Sequence, residues 1–122
     1  MTLNEIADEL VAGCRESRAK ANLHKLYAPD AKSVEAADMG NGRTVTGIAA
    51  IEGKHDWWEN SMTVHNQTVG GPFAHGDDRF AVTFDVDYTD NATGKRGQMQ
   101  EVAVYHVAAG KIVREEFFYA TS

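Results

Sequence analysis

The fold class is decided by residues 80–88, which read FAVTFDVDY. Every second residue from Phe80 to Tyr88 is aromatic or β-branched, and the residues between them are small or polar. Because successive side chains of a β-strand point to opposite faces of a sheet, this alternation predicts a strand with one buried and one solvated face. Asp85 and Asp87 would then lie on the solvated face.

Other strands are predicted on both sides of this one. Residues 62–69 precede it, with Gly70-Gly71-Pro72 as their end, and residues 98–107 and 112–119 follow it, joined by a tight turn. Strands that follow one another through short turns favour antiparallel pairing. A shorter hairpin is predicted nearer the start, from residues 31–37 and 43–46 around a glycine-rich turn.

Three helices are predicted in the first half of the chain. Thr2 and Glu5 form a capping-box pattern that begins the first helix. Pro29 is expected to end the second, because the residue before proline disfavours helical backbone angles. The inward residues of this second helix would be Leu23, Leu26 and Tyr27. Gly47 opens the third, whose apolar stripe has helical spacing and consists of Ile48, Ile51, His55, Trp58 and Met62.

This order of elements predicts one α+β domain over residues 1–122 with an antiparallel sheet. The formal net charge of −6 argues against nucleic acid or an anionic membrane as the main partner. No apolar run is long enough to span a membrane, and the first ten residues do not form a secretory signal. Cys14 is the only cysteine, so no disulfide can form within the chain. Together with the missing secretory signal, this predicts a cytoplasmic protein.

Three short motifs resemble the SnoaL-like branch of the nuclear transport factor 2-like superfamily. They are LYAPDA at 26–31, TGIAAI at 46–51, and GKIV at 110–113 followed by EEFFY at 115–119. The resemblance implies a cone-shaped sheet packed against three helices, an internal cavity and commonly a homodimer. The branch contains polyketide cyclases, ketosteroid isomerases and limonene epoxide hydrolases, so the resemblance does not imply one reaction.

Ketosteroid isomerase activity is not expected, because residues that it requires are missing. That enzyme needs a base at the end of the first strand, a tyrosine in the first helix and a protonated acid on a late strand. The helix position falls at Leu10 or Val11, and the late-strand position falls near Ala103, none of which can donate a hydrogen bond. The base position falls near Glu35, Ala36 or Ala37.

The candidate catalytic residues are Glu101, His55 and Glu35. Glu101 shares a strand face with Ala103 and Tyr105, where desolvation would raise its pKa toward the range of a general acid. His55 lies on the apolar stripe of the third helix and is either a core residue or a base at the pocket wall. Glu35 points into the pocket only if Val34 does not.

Six aromatic residues are expected to line the pocket, although core packing is the alternative for each: Tyr27, Trp58, Phe84, Tyr105, Phe117 and Tyr119. Trp57 would point to the rim or to a subunit interface. Glu115 and Glu116 are expected at a charged edge or a dimer rim. The histidines lack the spacing of a zinc motif, so no metal site is predicted.

Three functions stay open at this point. The first is acid–base chemistry (isomerisation, cyclisation or hydrolysis) on a small apolar metabolite without an organic cofactor. The second is binding of such a ligand without catalysis. The third is a dimerisation or interaction module whose pocket is filled by its own side chains.

Overall fold

A computed structural model of the chain describes residues 1–38 and 40–120, so Thr121 and Ser122 of the expected domain lie outside the described residues. The helices are α1 (Leu3–Arg15), α2 (Asn22–Leu26) and α3 (Ile48–Ser61). The strands are β1 (Tyr27–Val34), β2 (Thr44–Thr46), β3 (Met62–His75), β4 (Arg79–Asp90), β5 (Arg96–Ala108) and β6 (Lys111–Phe118).

The six strands form one sheet in the order β2-β1-β6-β5-β4-β3. The long strands β3 to β6 pair antiparallel with their neighbours in sequence, as the alternating pattern predicts. The first strand joins the sheet differently, because β1 pairs parallel with β6 and antiparallel with β2. The predicted α+β class, with a curved sheet and three helices, is confirmed.

The predicted boundary between the second helix and the first strand is wrong. Tyr27 is extended, with φ −98° and ψ 145°, and it is the first residue of β1 rather than a helical residue. Pro29 therefore lies inside the strand and not at a helix end. Proline fits there because the pairing of β1 with β6 is interrupted between Tyr27 and Lys32, where no ladder hydrogen bond is required of it.

The predicted end of the strand at Gly70-Gly71-Pro72 is also wrong, since β3 continues to His75. Its pairing with β4 shifts register between Gly70 and Phe73. The three residues form an irregularity that the strand absorbs. Gly71 has a φ of 108°, which a residue with a side chain rarely adopts.

Both predicted helix starts are confirmed. The Thr2 Oγ1 atom accepts a hydrogen bond from the Glu5 backbone at 3.2 Å, and the Glu5 carboxylate accepts one from the Thr2 backbone at 2.8 Å. Gly47 caps α3 with a φ of 98°, which favours glycine. These caps fix where α1 and α3 begin over the sheet.

The face of the sheet that packs on the helices is called the inner face here. Phe80, Val82 and Val86 of β4 are buried on it, whereas Thr83 between them is exposed. The inner face meets apolar residues of all three helices, including Ile6, Leu10, Leu23 and Ile51. Within the described residues, no helix is long and apolar enough to cross a membrane.

Candidate functional site

Three glutamates meet on the inner face. Glu101 of β5 stands opposite Phe84 of β4, and Glu115 of β6 stands opposite Tyr105 of β5, so each shares the face of a core aromatic residue. Glu35 follows directly after β1, beside β6. Three carboxyl groups are thus brought together from three neighbouring parts of the sheet.

Lys54 of α3 reaches into this group of carboxylates. Its Nζ atom lies 2.5 Å from Oε1 of Glu35 and donates a hydrogen bond of 2.6 Å to Oγ of Ser33. The same atom lies 5.2 Å from the centroid of the Phe117 ring, within the range of a cation–π contact. The Lys54 side chain is 25% exposed.

Glu115 is the buried end of this network. It is 3% exposed, and it accepts hydrogen bonds from the hydroxyls of Tyr27 and Ser33, the latter at 2.7 Å. The prediction that Glu115 lies at a charged edge or a dimer rim is therefore wrong. The reason is topological: β6 lies between β1 and β5 and is not an edge strand.

The network is continuous from the core to the half-buried surface. Tyr119 donates a hydrogen bond of 2.9 Å to Oε2 of Glu35 at its outer end. From Tyr119 the contacts run through Glu35 and Lys54 to Ser33, and from there to Glu115 and Tyr27. We call these six residues the polar chain.

Glu101 lies beside the polar chain but takes part in no side-chain hydrogen bond or ion pair with the described residues. Burial, together with the negative charges of Glu35 and Glu115, raises its pKa to about 7, although Lys54 acts in the opposite direction. A carboxyl group with such a pKa can both give and take a proton near neutral pH.

Tyr27 and Tyr119 donate hydrogen bonds to glutamates of the site, to Glu115 and Glu35 respectively. Burial and the neighbouring Glu35 raise the pKa of Tyr119 to about 12. Burial, followed by the charge of Glu115, raises the pKa values of Tyr27 and Tyr105 well above the ordinary range. Burial also raises the pKa of Cys14 to about 11, which disfavours a reactive thiolate.

The residues expected to line the pocket divide into two groups. Tyr27 and Tyr105 are buried, and the Tyr105 ring stacks on Phe80 with centroids 5.0 Å apart. Phe84, Phe117, Tyr119 and Trp58 are half-buried, and the Trp58 ring lies 5.6 Å from that of Tyr88. We call the half-buried inner-face residues Lys54, Phe84, Glu101, Phe117 and Tyr119 the inner-face opening.

The structure brings two of the three catalytic candidates, Glu101 and Glu35, to the same region. His55 is half-buried and takes part in no hydrogen bond or ion pair with the described residues. Trp57 is 58% exposed, as its position next to the apolar stripe predicts. Leu10, Val11 and Ala103, at the ketosteroid isomerase positions, are buried in the core.

Sequence reasoning missed Lys54, Ser33 and the burial of Glu115. Lys54 follows Ile51 by three residues, and His55 follows it by four, so both flank the same helical face. From the apolar stripe alone, either Lys54 or His55 could therefore have been expected to lie near the inner face of the sheet. For Glu115, the signal was its alternation with Phe117 and Tyr119 on one face of the last strand.

The cavities among the described residues include two that are open to the surface. One, of about 440 Å³, lies between α2 and α3 and is lined by Lys20, His24 and Glu52 among others. The other, of about 400 Å³, crosses β3, β4 and β5 and is lined by Phe84 and Glu101 together with Thr68, Thr83 and Gln100 of the face opposite the helices. Among the same residues, no group of three or more His, Cys, Asp or Glu side chains could hold a metal ion.

Comparison with known families identifies one match. The model of the SnoaL-like domain matches residues 1–119. No curated protein matches the chain.

Solved structures provide further similarities. A candidate SnoaL-like polyketide cyclase from Mesorhizobium loti, also described as a carbohydrate phosphatase, is 37% identical with a TM-score of 0.90, covering 98% of this chain and 100% of that one. A nuclear transport factor 2-like protein from Burkholderia thailandensis is 21% identical, with a TM-score of 0.84 and coverage of 98% and 92%. A candidate isomerase from Bacillus subtilis is 19% identical, with a TM-score of 0.75 and coverage of 95% and 84%.

Proposed function

Because the chain belongs to the SnoaL-like domain family, we propose that it is an enzyme of acid–base type that acts on a small, largely apolar metabolite without an organic cofactor. One observation carries the proposal. Glu101 lies at the inner-face opening, on an otherwise apolar strand face, with its pKa raised to about 7. A general acid or base is most effective when its pKa lies near the working pH.

In this proposal Glu101 moves the proton. As a carboxylate it takes a proton from a C–H or O–H group of the ligand, and the electron pair of the broken bond stays on the ligand. Returning the proton to another atom gives isomerisation. Attack of the electron pair on a carbonyl carbon of the same ligand gives cyclisation, because the π electrons of that C=O bond move to its oxygen, which takes the proton from Glu101. Phe84 and Phe117 supply half-buried apolar surface at the inner-face opening for the apolar part of the ligand.

The second candidate is a binding or interaction module without catalysis. The buried rings of Tyr27, Phe80 and Tyr105 favour it, because they fill the deep part of the inner face. A titratable group such as Glu101 beside apolar residues would then need another explanation. For this reason we place the acid–base enzyme first.

The elimination of 5-nitrobenzisoxazole tests the proposed base. In that reaction a base removes the ring C–H proton, the electron pair forms a nitrile, and the N–O bond breaks to leave a coloured phenolate. We expect the wild-type rate to rise with pH to a plateau above about 7. We expect Glu101→Gln to abolish this protein-dependent rate, because an amide cannot accept the proton.

Glu116→Gln is the matched control, because Glu116 is a half-buried neighbour of the site that pairs with Arg43 and Arg114 instead. It should retain the wild-type rate. Equal rates for the wild type and Glu101→Gln would contradict the proposal.

Two further expectations from the sequence also stay proposals. The chain would form a homodimer through the face opposite the helices, where Val102 and Phe118 are paired neighbours, 39% and 50% exposed. A cytoplasmic location is the other. Neither is needed for the chemistry of Glu101.

A further inference from the structure

We infer that Lys54 holds the oxygen atom of the ligand, and that the ligand is a neutral carbonyl compound with an acidic C–H group next to the carbonyl. The inference rests on the proposed function, because it assumes that Glu101 moves the proton. It adds a second group to the same site and a substrate class.

The hydrogen-bonding capacity of Lys54 is the first step. An ammonium group carries three N–H donors. Among the described residues, Ser33 accepts one, at 2.6 Å, and Glu35 lies against the ammonium at 2.5 Å. At least one donor is left for a ligand, and the 25% exposure of the side chain puts it within reach at the inner-face opening.

The direction of the hydrogen bonds fixes the orientation of this ammonium. Glu115 accepts from Ser33, so the single hydroxyl proton of Ser33 is already used. Ser33 can therefore only accept from Lys54. Glu115 is a positioning residue in this scheme, because it acts on Lys54 through Ser33 and touches no ligand.

The charge of the site decides between ligand classes. Among the described residues, Lys54 is the positive group that Glu35, Glu101 and Glu115 face, so a ligand that is already anionic would be repelled while Glu101 is ionised. A neutral carbonyl compound avoids this repulsion. When its C–H bond breaks, the proton goes to Glu101 and the electron pair forms an enolate, whose negative charge lies largely on the oxygen. The interaction between Lys54 and this oxygen would then be stronger in the transition state than in the bound ground state, as catalysis requires.

Glu101 and Lys54 both lie at the inner-face opening. Lys54 is close enough to oppose the rise in the pKa of Glu101, and its Nζ atom lies over the ring of Phe117, a residue of the inner-face opening. A flat carbonyl compound against the Phe117 side of the opening can present its oxygen to one group and its C–H to the other.

The binding of 4-nitrophenol tests the inference, since its phenolate resembles an enolate and absorbs visible light. The measurement is a titration at about pH 6, where Glu101 holds its proton. We expect wild-type protein to bind the phenol with the spectrum of the phenolate. Lys54→Met should bind about tenfold more weakly or worse, with the spectrum of the neutral phenol, because a charge-assisted hydrogen bond is lost.

Three variants complete the design. Lys54→Arg keeps the charge and should keep the phenolate spectrum. Lys32→Met is the matched control, since Lys32 is the exposed neighbour of Ser33 on β1, and it should behave as wild type. Glu101→Gln should still bind the phenolate while losing the benzisoxazole reaction.

The outcomes separate the two claims. If wild-type protein shows no phenolate spectrum, or if Lys54→Met keeps it, the inference about Lys54 is overturned and the role of Glu101 is untouched. If Glu101→Gln keeps the benzisoxazole reaction, the proposed function fails whatever Lys54 does. A Lys54→Met variant with wild-type thermal unfolding shows that its weaker binding is not due to misfolding.

Discussion

The hydroxyl of Ser33 donates a hydrogen bond of 2.7 Å to Oε2 of Glu115, and both residues are buried. This contact joins the fold to the proposed chemistry, because Ser33 also accepts from Lys54 at the inner-face opening. A buried carboxylate is costly unless it is paired or hydrogen-bonded. Here the hydroxyls of Tyr27 and Ser33 satisfy it, so the site and the core depend on the same bonds.

Glu115→Gln should destabilise the fold. The amide offers an N–H₂ group where the carboxylate has an oxygen, so one of the two hydroxyl donors, Tyr27 or Ser33, loses its acceptor. A buried polar group without a partner costs about 1–3 kcal/mol. Urea unfolding should show a loss of this size. Glu116→Gln, at a half-buried ion pair, should cost less than about 1 kcal/mol; similar losses for the two variants would contradict the role given to Glu115.

Ser33→Ala tests whether the orientation of Lys54 matters. Lys54 keeps its contact with Glu35 in this variant but loses the acceptor that fixes its direction. We expect 4-nitrophenolate binding to weaken by less than it does in Lys54→Met, together with a measurable loss of stability. If Ser33→Ala binds the phenolate as tightly as the wild type does, the positioning role of Ser33 is wrong.

The stability of the protein should depend on the charge of Glu101. Because its pKa is raised from 4.5 to about 7, the folded chain holds a proton that the unfolded chain has released between these values. Stability should therefore fall as the pH rises through this window and level off above about 7. Glu35, Glu115 and Lys54 face the same carboxyl group and set this behaviour.

The measurement is urea unfolding of the wild type and of Glu101→Gln across that pH window. Glutamine carries no charge at this position, so the free energy of unfolding of the variant should increase relative to that of the wild type as the pH rises. A difference between the two proteins that does not change with pH would argue against a raised pKa.

Self-association is tested by Val102→Lys. A lysine at this exposed position would place a charge in the proposed dimer interface beside Phe118. We expect light scattering to show a dimer for the wild type at micromolar concentration and a monomer for the variant. Thr93→Lys, in the turn after β4, adds the same charge away from that face and should stay dimeric. A monomeric wild type would rule the dimer out.

The sheet was well predicted because burial on one face imposes a period of two on the sequence. Phe80, Val82 and Val86 show this, and the structure buries all three. The boundaries at Tyr27 and after Gly70 were missed because tertiary pairing decided them. Pairing with β6 keeps the start of β1 extended, and pairing with β4 lets β3 continue beyond Gly70 and Gly71.

The candidate site was predicted in part. The position of Glu101 on an apolar face could be read from alternation within one strand. The polar chain could not, because it joins Lys54 of a helix to Ser33 and Glu115 of two strands that are far apart in sequence. Parallel pairing of β1 with β6 creates that contact, and nothing in the local pattern indicates it.

The titration of the Glu101 carboxyl group tests the central claim most directly. Carbon-13 NMR of protein labelled at the glutamate side chains, with Glu101→Gln used to assign the signal, gives its pKa without a substrate. We predict a midpoint of about 7, set by burial and by the charges of Glu35 and Glu115. A midpoint near the ordinary glutamate value of about 4.3 would contradict the proposal that Glu101 is the acid–base group of this protein.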